Sequence, residues 1–252
     1  MKIFKNIIGV IFSLCLFSCE KNAVQDITTD PPQSIIKFFH FGVNAPGVNF
    51  YANDNKVTAI SSATGIESTT GTNYGGVGNI GLYSAIAPGQ YTFKAKIAAT
   101  TDKDLAIANI AGTIENGKFY SLYLSGVYNP TAKTIDGFVI EDAVPGIDTS
   151  KAHVRFVNAI SNATGPMTLF AKNTTTLAEI AAGGEVVYKT GGAFTAIPPG
   201  VYDLNSRYTG STSNIITRLA VTFMKGRVYT IGARGQIGSS TAVPALDNTL
   251  NR

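Results

Sequence analysis

The feature of this sequence that most constrains its fold is an internal repeat built from short strands. Three landmarks occur twice and in the same order: an opening strand, a Pro-Gly turn and a late strand ending in Tyr. They lie at residues 36–41 and 154–159, at 85–91 and 196–202, and at 116–120 and 225–229. Their offsets of 118, 111 and 109 residues drift in one direction, as small loop deletions would produce. The sequence therefore predicts two tandem units of about 110 residues, each large enough for its own core.

Within each unit the hydrophobic period is that of a β-strand. Residues 90–97 alternate polar and apolar side chains, which is typical of a strand with one buried face. Pro88-Gly89 and Pro199-Gly200 predict turns, because Pro presets φ and Gly accepts a positive φ. Several short strands separated by turns in each unit favour an all-β fold of two tandem β-sandwich domains.

The chain divides into six predicted parts. They are a signal peptide (1–18), a tether (19–33), a first β-sandwich domain (34–142), a linker (143–151), a second β-sandwich domain (152–240) and a C-terminal tail (241–252). The tether is polar and ends in Pro31-Pro32, which argues against an edge strand. Fully extended, its residues after Cys19 would reach roughly 45 Å. The tail lacks an alternating, aromatic-ended strand.

The amino-terminal segment predicts export and lipid attachment. Lys2 and Lys5 precede an apolar stretch at 7–17, which is too short to span a bilayer as a helix. The stretch ends in Leu16-Phe17-Ser18-Cys19, which resembles the bacterial lipobox. That resemblance implies cleavage before Cys19, diacylglycerol on its thiol and an acyl chain such as palmitate on the new amino terminus. Two or three acyl chains give stable anchoring. The predicted location is the outer membrane, facing the periplasm or the surface. The alternative is an ordinary secretory signal with a chance cysteine.

Composition excludes several classes of protein. Cys15 would leave with the signal and Cys19 would carry lipid, so no disulfide and no thiolate metal site is expected in the domains. Without Lys2 and Lys5, the net charge of +4 falls to about +2, and no run of Lys and Arg exists. The electrostatic footprint of a nucleic-acid partner is therefore absent. Only 14% of residues are charged and 26 are Gly, which is typical of an extracellular β protein.

Each unit opens with a recurring order of short segments. A strand with a basic residue is followed by a Pro-containing segment and then by a second apolar strand. These segments lie at 37–41, 44–47 and 48–51, and again at 155–159, 165–166 and 167–170. Together with the Pro-Gly-x-Tyr turns, this order resembles the DUF4397 family of bacterial lipoproteins and surface proteins, over residues 35–240. The resemblance implies two tandem Ig-like β-sandwich domains in the envelope, and it implies no reaction. The second copy departs most at Thr168, where the family has an aspartate-like position.

Two glycine-rich loops carry candidate ligand-binding residues. Residues 76–81 match the dinucleotide fingerprint, but a Pro-Gly turn follows where that motif requires a helix, so we interpret 65–81 as a flexible loop. This loop contains Tyr74, and the corresponding loop at 183–192 contains Tyr188. An aromatic side chain on a mobile polar loop could stack on a sugar or a peptide. The alternative is an ordinary tyrosine that folds onto the sheet edge.

Residues suited to metal binding or catalysis are scarce. His40 lies in a predicted core strand and His153 opens another, and neither has a His, Asp or Glu at ligand spacing. We therefore predict no metal, no cofactor and no catalytic residue. A Gly-x-Ser-x-Gly nucleophile elbow is absent. Glu141 and Asp142 are adjacent, so they should point to opposite faces of a strand and solvate the linker, not act together in glycoside hydrolysis.

Lys37 and Arg155 occupy matching places in the two opening strands. We expect both to face solvent, as charges that protect an edge strand from pairing with another chain. The alternative is a ligand contact that occurs once in each unit.

These observations predict a non-catalytic envelope lipoprotein. Its predicted role is a cell-surface or periplasmic ligand-binding or adhesion module for a glycan or another envelope protein, with no nucleic-acid partner. The alternative is a structural accessory subunit of an envelope complex, and a hydrolase with an unrecognised site is the least favoured. A structural subunit would expose a strand edge or an apolar patch, whereas an enzyme would contain a pocket with perturbed titratable groups.

Overall fold

The computed structural model describes residues 34–58 and 70–252. The predicted signal peptide, the lipidation site Cys19 and the tether lie outside the described residues. Within them, the chain forms seventeen strands and one 3-10 turn, Gly78–Gly81, and no α-helix. The strands are β1 Ser34–His40, β2 Val48–Ala52, β3 Asn55–Lys56, β4 Ser84–Ile86, β5 Gly89–Ile97, β6 Ala106–Ile114, β7 Phe119–Asn129, β8 Thr134–Glu141, β9 Ala152–Asn158, β10 Met167–Asn173, β11 Glu179–Val186, β12 Thr190–Gly191, β13 Thr195–Ile197, β14 Gly200–Tyr208, β15 Ile216–Phe223, β16 Val228–Arg234 and β17 Ala245–Leu250.

The strands form four sheets, arranged as two β-sandwiches. The first sandwich pairs the sheet β4-β1-β7-β8 with the sheet β3-β2-β5-β6. The second pairs β12-β9-β16-β17, in which β13 also joins β9, with β11-β10-β14-β15. In both sandwiches the opening strand runs parallel to the late strand, β1 to β7 and β9 to β16, and the other pairs are antiparallel. The predicted all-β sandwich fold is therefore confirmed.

Each sandwich has its own hydrophobic core, which the strand period explains. In β1, Ile36 and Phe38 point into the first core, and in β9, Val154 and Phe156 point into the second. Alternate side chains of the same strands are also buried, because the sheets that contain β1 and β9 pack against each other. We call these two sheets the inner sheets, the contact between them the seam, and the remaining two the outer sheets.

The C-terminal segment corrects the predicted domain boundary. Residues 241–252 were expected to form a tail, but β17 pairs antiparallel with β16 from Tyr229 opposite Leu250 to Arg234 opposite Ala245. The second sandwich therefore extends to Leu250 instead of ending at residue 240. The strand escapes sequence analysis because, of its six side chains, only Leu246 is fully buried, so β17 lacks a clear apolar alternation.

Candidate functional site

The seam between the sandwiches is an aromatic cluster. Its members from the first sandwich stack in series: the ring of Tyr123 lies 4.4 Å from that of Phe39 and 5.1 Å from that of Phe138. Side chains of β9 and its extension complete the cluster from the other side. Phe41 reaches across to Gly232, where a Cβ atom would lie only 2.7 Å from its Cε2. The glycine therefore permits the close approach of the two inner sheets.

Lys37 and Arg155 lie in this seam and not in solvent. Both residues are only 2% exposed. The prediction that they face solvent and protect an edge strand is therefore wrong. The Nζ of Lys37 donates to the carbonyl oxygen of Leu250 and lies 4.3 Å above the ring of Tyr83. The physical reason is the strand period. Lys37 shares the seam face of β1 with Phe39, so whatever covers that phenyl ring also covers the lysine.

Arg155 repeats this arrangement from the opposite side. Its Nη1 donates to the carbonyl oxygen of Glu141 at 3.1 Å, and its guanidinium lies 4.9 Å from the ring centre of Phe194. Glu141 and Leu250 are the last residues of β8 and β17, each opposite a landmark tyrosine. One cation of each sandwich therefore binds a backbone carbonyl of the other sandwich, at the end of the last strand of its inner sheet.

The environment of Asp142 corrects a second prediction. This carboxylate was expected to solvate the linker, but the residue is 1% exposed. It forms a buried salt bridge with the Nη2 of Arg155. It also accepts hydrogen bonds from Ser121 Oγ at 2.7 Å and from the Tyr83 hydroxyl at 2.6 Å. Arg155 supplies the counter-charge that makes this burial possible, while Nε of the same guanidinium donates to Thr230 Oγ1 at 2.9 Å.

Asn251 takes the place of Asp142 at the end of the second inner sheet. Its amide oxygen accepts from Thr230 Oγ1 at 2.8 Å, and its amide nitrogen donates to the Tyr83 hydroxyl at 2.8 Å. Burial, reinforced by the nearby Asp142 carboxylate, raises the pKa of Tyr83 far above its ordinary value. Burial also lowers the pKa of Lys37 to about 8, although the attraction of Asp142 opposes the shift.

The structure places both predicted ligand-binding tyrosines beside the seam. The ring of Tyr74 lies 4.9 Å from the guanidinium carbon of Arg234 on β16. Tyr188 shares a hydrogen bond of 3.0 Å with Ser125 Oγ on β7. Ser125 and Arg234 each lie five residues after a landmark tyrosine, so the two tyrosines make matching contacts with the opposite sandwich. Both side chains are partly buried, not displayed on free loops. Their role in binding a ligand stays a prediction.

The aromatic residues of the outer sheets were not among the predicted site residues. In the first outer sheet, the ammonium of Lys96 lies 4.3 Å from the ring centre of Tyr51. In the second, the guanidinium of Arg207 lies 4.4 Å from the ring centre of Phe170. Each pair joins adjacent strands, β2 with β5 and β10 with β14. The alternation of Tyr51 with buried Phe50 is the sequence signal that could have placed this ring on the outer face.

One cleft adjoins the seam. It has a volume of about 370 Å³ and is open to solvent. Its ionisable side chains are Glu141, Arg155 and Lys189, and each of them is in a salt bridge, with Lys118, Asp142 and Asp136 respectively. Its remaining wall comes mainly from apolar side chains and glycine backbone of the segment around β12.

Two further predictions concern histidine and glycine motifs. His40 is fully buried, its Nε2 lies 2.9 Å from the carbonyl oxygen of Pro46, and burial lowers its pKa. Across residues 34–58 and 70–252, no group of three or more His, Cys, Asp and Glu side chains could hold a metal ion. In the same ranges no helix is long and apolar enough to cross a membrane. The dinucleotide-like motif leads into strand β4 through the 3-10 turn, without the helix that phosphate binding requires.

The sequence from residue 34 to residue 165 matches the family model described as "Domain of unknown function (DUF4397)". The chain belongs to this family. The matched region contains the first sandwich, the linker and the opening strand of the second sandwich. It therefore includes both Lys37 and Arg155, the two cations that are buried at the seam.

Solved structures resemble this DUF4397 protein only weakly. The Bacillus anthracis TIE protein is 14% identical, with a TM-score of 0.25 over 80% of this chain and 34% of that chain. This chain thus spans about a third of that protein. A "putative cell adhesion protein" from Bacteroides ovatus is also 14% identical, with a TM-score of 0.22 over 89% of this chain and 97% of that chain. The comparison with curated proteins gives no match.

Proposed function

We propose that this DUF4397 protein is a non-catalytic ligand-binding or adhesion module of the bacterial envelope. The observation that carries the proposal is that each sandwich contributes aromatic and cationic side chains to the seam, where they contact the other sandwich. This arrangement engages the inner sheets, together with Tyr74 and Tyr188, in contacts within the protein. The outer sheets, with an aromatic–cation pair on each, lie outside these contacts and can face a partner.

Charge pairing in the cleft supports a non-catalytic role. A general acid or base must be able to exchange a proton with a substrate, and it usually has a pKa tuned to that task. In the cleft, Arg155 is fully engaged with Asp142, Thr230 and a backbone carbonyl. Lys189 is held by Asp136. Arg155 and Lys189 thus stabilise the junction of the sandwiches through their salt bridges, which supports a role without proton transfer.

Export and lipid anchoring at Cys19 complete the proposal. The test is metabolic labelling with palmitate and membrane fractionation of the wild-type chain and of the variant Cys19→Ser. The matched control is Cys15→Ser, which removes the other cysteine of the same segment. We expect label and membrane association in the wild type and the control, and neither in Cys19→Ser. Equal labelling of all three chains would refute the anchor.

Ligand binding is tested with the full-length protein in detergent against envelope glycans and intact bacterial cells. We expect saturable binding that unfolding abolishes. Tyr74→Phe and Tyr188→Phe test the two loop tyrosines, because phenylalanine keeps the ring in the seam and removes only the hydroxyl. If both variants bind as the wild type does, the hydroxyl groups of these tyrosines do not contribute to the ligand site. The absence of binding to every glycan and cell would refute the adhesion role.

The apolar tip formed by Ile80 and Leu82 favours a second candidate function, that of a structural accessory subunit. Ile80 is 96% exposed and Leu82 is 66% exposed. Ile80 also has a φ of 57°, a left-handed conformation that costs a β-branched residue roughly 1–2 kcal/mol. The exposed parts of these side chains bury no apolar surface in the fold, whereas a protein partner could bury them. Crosslinking from position 80 in the envelope should then capture one defined protein, and position 127 on an exposed valine is the control.

A further inference from the structure

The outer face of β2, β3 and β5 combines one aromatic ring with several lysines. Tyr51 on β2 stands directly opposite Lys56 on β3 and Lys94 on β5. Their neighbours Phe50 and Phe93 point into the first core. Because side chains alternate along a strand, Tyr51 and the two lysines share the outer face. The pairing of the strands therefore places Tyr51 between two lysine residues of the neighbouring strands.

Lys96 places its ammonium group directly over the ring of Tyr51. It lies two residues beyond Lys94 on β5, on the same face, with its Nζ 4.3 Å from the ring centre of Tyr51. Lys94 is paired with Asp54 at 2.8 Å, whereas the Lys96 ammonium is held over the aromatic ring. A cation–π contact at a partly exposed site is worth only about 0.5–1 kcal/mol, so an anion can readily draw Lys96 away from the ring.

Two aspartates lie near this face. Asp104 contributes to the raised pKa of Tyr51 and opposes the lowered pKa of Lys56, each shift being caused mainly by burial. Asp54 forms the salt bridge with Lys94. Among residues 34–58 and 70–252, Lys96 is in no salt bridge, and its ammonium lies against the Tyr51 ring. The charge of Lys96 therefore favours an anionic ligand at this face.

The second outer sheet has the same arrangement, but its cation is in a salt bridge. Phe170 takes the place of Tyr51, and it stands opposite Ala181 and Asn205 instead of two lysines. Its cation, Arg207, forms a two-bond salt bridge with Glu179 at 2.7 and 2.8 Å. Each sandwich thus has an aromatic–cation pair at matching places, and among the described residues only the cation of the second pair is bound by a carboxylate.

We propose that the outer face around Tyr51, Lys94 and Lys96 binds an acidic polysaccharide, a chain of sugar rings that carry carboxylates. One apolar face of a sugar ring packs on Tyr51, and Lys96 moves from the ring to a carboxylate of the ligand. A flat sheet suits an extended polymer, because the polymer can lie along the face without entering a pocket. The inference rests on the proposed binding role and names the ligand class of one of its surfaces.

The test compares polygalacturonate with its methyl-esterified form, using the full-length protein in detergent. The two polymers share a backbone and differ in charge. We expect the esterified polymer to bind about tenfold more weakly, and binding of the acidic form to weaken several-fold between about 0.05 and 0.5 M NaCl. Mixed micelles of the same detergent with phosphatidylglycerol or with phosphatidylcholine serve as the alternative surface, because acyl chains on Cys19 would enter both micelles equally and only the charge of the headgroup differs. Tighter association with the phosphatidylglycerol micelles, without binding to polygalacturonate, would overturn the proposal in favour of a lipid surface.

Matched variants locate the ligand on the structure. Lys96→Met and Tyr51→Ala should each weaken polygalacturonate binding by about five- to tenfold, whereas Tyr51→Phe, which keeps the ring, should retain it. Lys172→Ala, on the second outer sheet, is the control and should bind as the wild type does. Equal binding of both polymers, or equal losses in Lys96→Met and Lys172→Ala, would overturn the proposal. Binding confined to neutral glycans or to an envelope protein would overturn it too, while the wider binding role would stand.

Discussion

Lys37 and Arg155 occupy the same place in the two halves of the molecule, but the surroundings stabilise their charges differently. Both are almost fully buried at the seam, and both reach a carbonyl group of the opposite sandwich. Arg155 also has the carboxylate of Asp142, whereas Asn251 stands at the matching place for Lys37. Burial lowers the pKa of Lys37 to about 8. One backbone arrangement thus accommodates either a paired cation or a lysine that can lose its proton.

The chemistry of the two side chains explains why this difference is tolerated. A guanidinium stays charged and offers several donors in a fixed plane, so it needs several acceptors when buried. Arg155 finds them in Asp142, Thr230 and Glu141. An ammonium can shift its pKa when buried, so Lys37 does not need a carboxylate of its own. Four predictions test this comparison between the halves.

The largest expected effect follows from Asp142→Ala. The change leaves the Arg155 guanidinium buried without its counter-charge, which should lower the free energy of unfolding by about 3–5 kcal/mol. Asn251→Ala removes only neutral hydrogen bonds, and it should cost about 1–3 kcal/mol. Urea denaturation of both variants measures the difference. Similar losses would show that the two ends of the seam are energetically alike.

The second prediction concerns pH. Because burial lowers the pKa of Lys37 to about 8, the unfolded chain binds more protons than the folded chain between pH 8 and the ordinary pKa of lysine. The free energy of unfolding should therefore rise with pH through this range, by on the order of 2 kcal/mol by about pH 10. Above that, the raised pKa of Tyr83 works in the opposite direction, since the unfolded chain loses the tyrosine proton first.

The matched variants for this pH profile are Lys37→Met and Arg155→Met, each compared with the wild type over the same range. Lys37→Met should remove most of the rise. Arg155→Met should destabilise the protein through the unpaired Asp142 but leave the rise in place. A rise that survives in Lys37→Met would mean that another group titrates, and the assignment to Lys37 would be wrong.

The strand period predicted which residues share a face but not what covers that face. It correctly predicted β5 and β7, and it correctly placed His40 inside β1. It led to the wrong environment for Lys37 because a lysine in a strand usually marks solvent. The contrary signal was present in β1 itself, where Phe38 and Phe39 are consecutive. Consecutive bulky apolar residues indicate a strand that is buried on both sides.

The outer face around Tyr51 was harder to predict from the sequence. Lys94 is far from Tyr51 in sequence, so only the pairing of β2 with β5 brings the two residues together. The loop tyrosines drew attention because glycine-rich loops often carry function. Tyr188 contacts Ser125 of the other sandwich, a long-range contact that a local pattern cannot contain.

The third prediction compares the two loop tyrosines. Tyr188→Phe removes the hydroxyl that bonds Ser125, so it should lower the free energy of unfolding by about 1 kcal/mol. Tyr74→Phe keeps the ring that Arg234 covers, so it should change stability by less than about 0.5 kcal/mol. Thermal unfolding of the two variants distinguishes these outcomes. A larger loss in Tyr74→Phe would show that the Tyr74 hydroxyl, not its ring, secures the contact.

The smallest expected effect separates the two outer sheets. Glu179→Gln removes the carboxylate that holds Arg207, and because this salt bridge is only partly buried, we expect a loss of about 0.5–1 kcal/mol that salt diminishes. Lys96→Met in the first outer sheet should change stability less, because its ammonium is held mainly by the Tyr51 ring. Denaturation at low and high NaCl measures both. If Lys96→Met costs more than Glu179→Gln, then Lys96 is a structural residue of the first sheet and is not available to an anionic ligand. That outcome would remove the charge difference on which the choice of the first outer face depends.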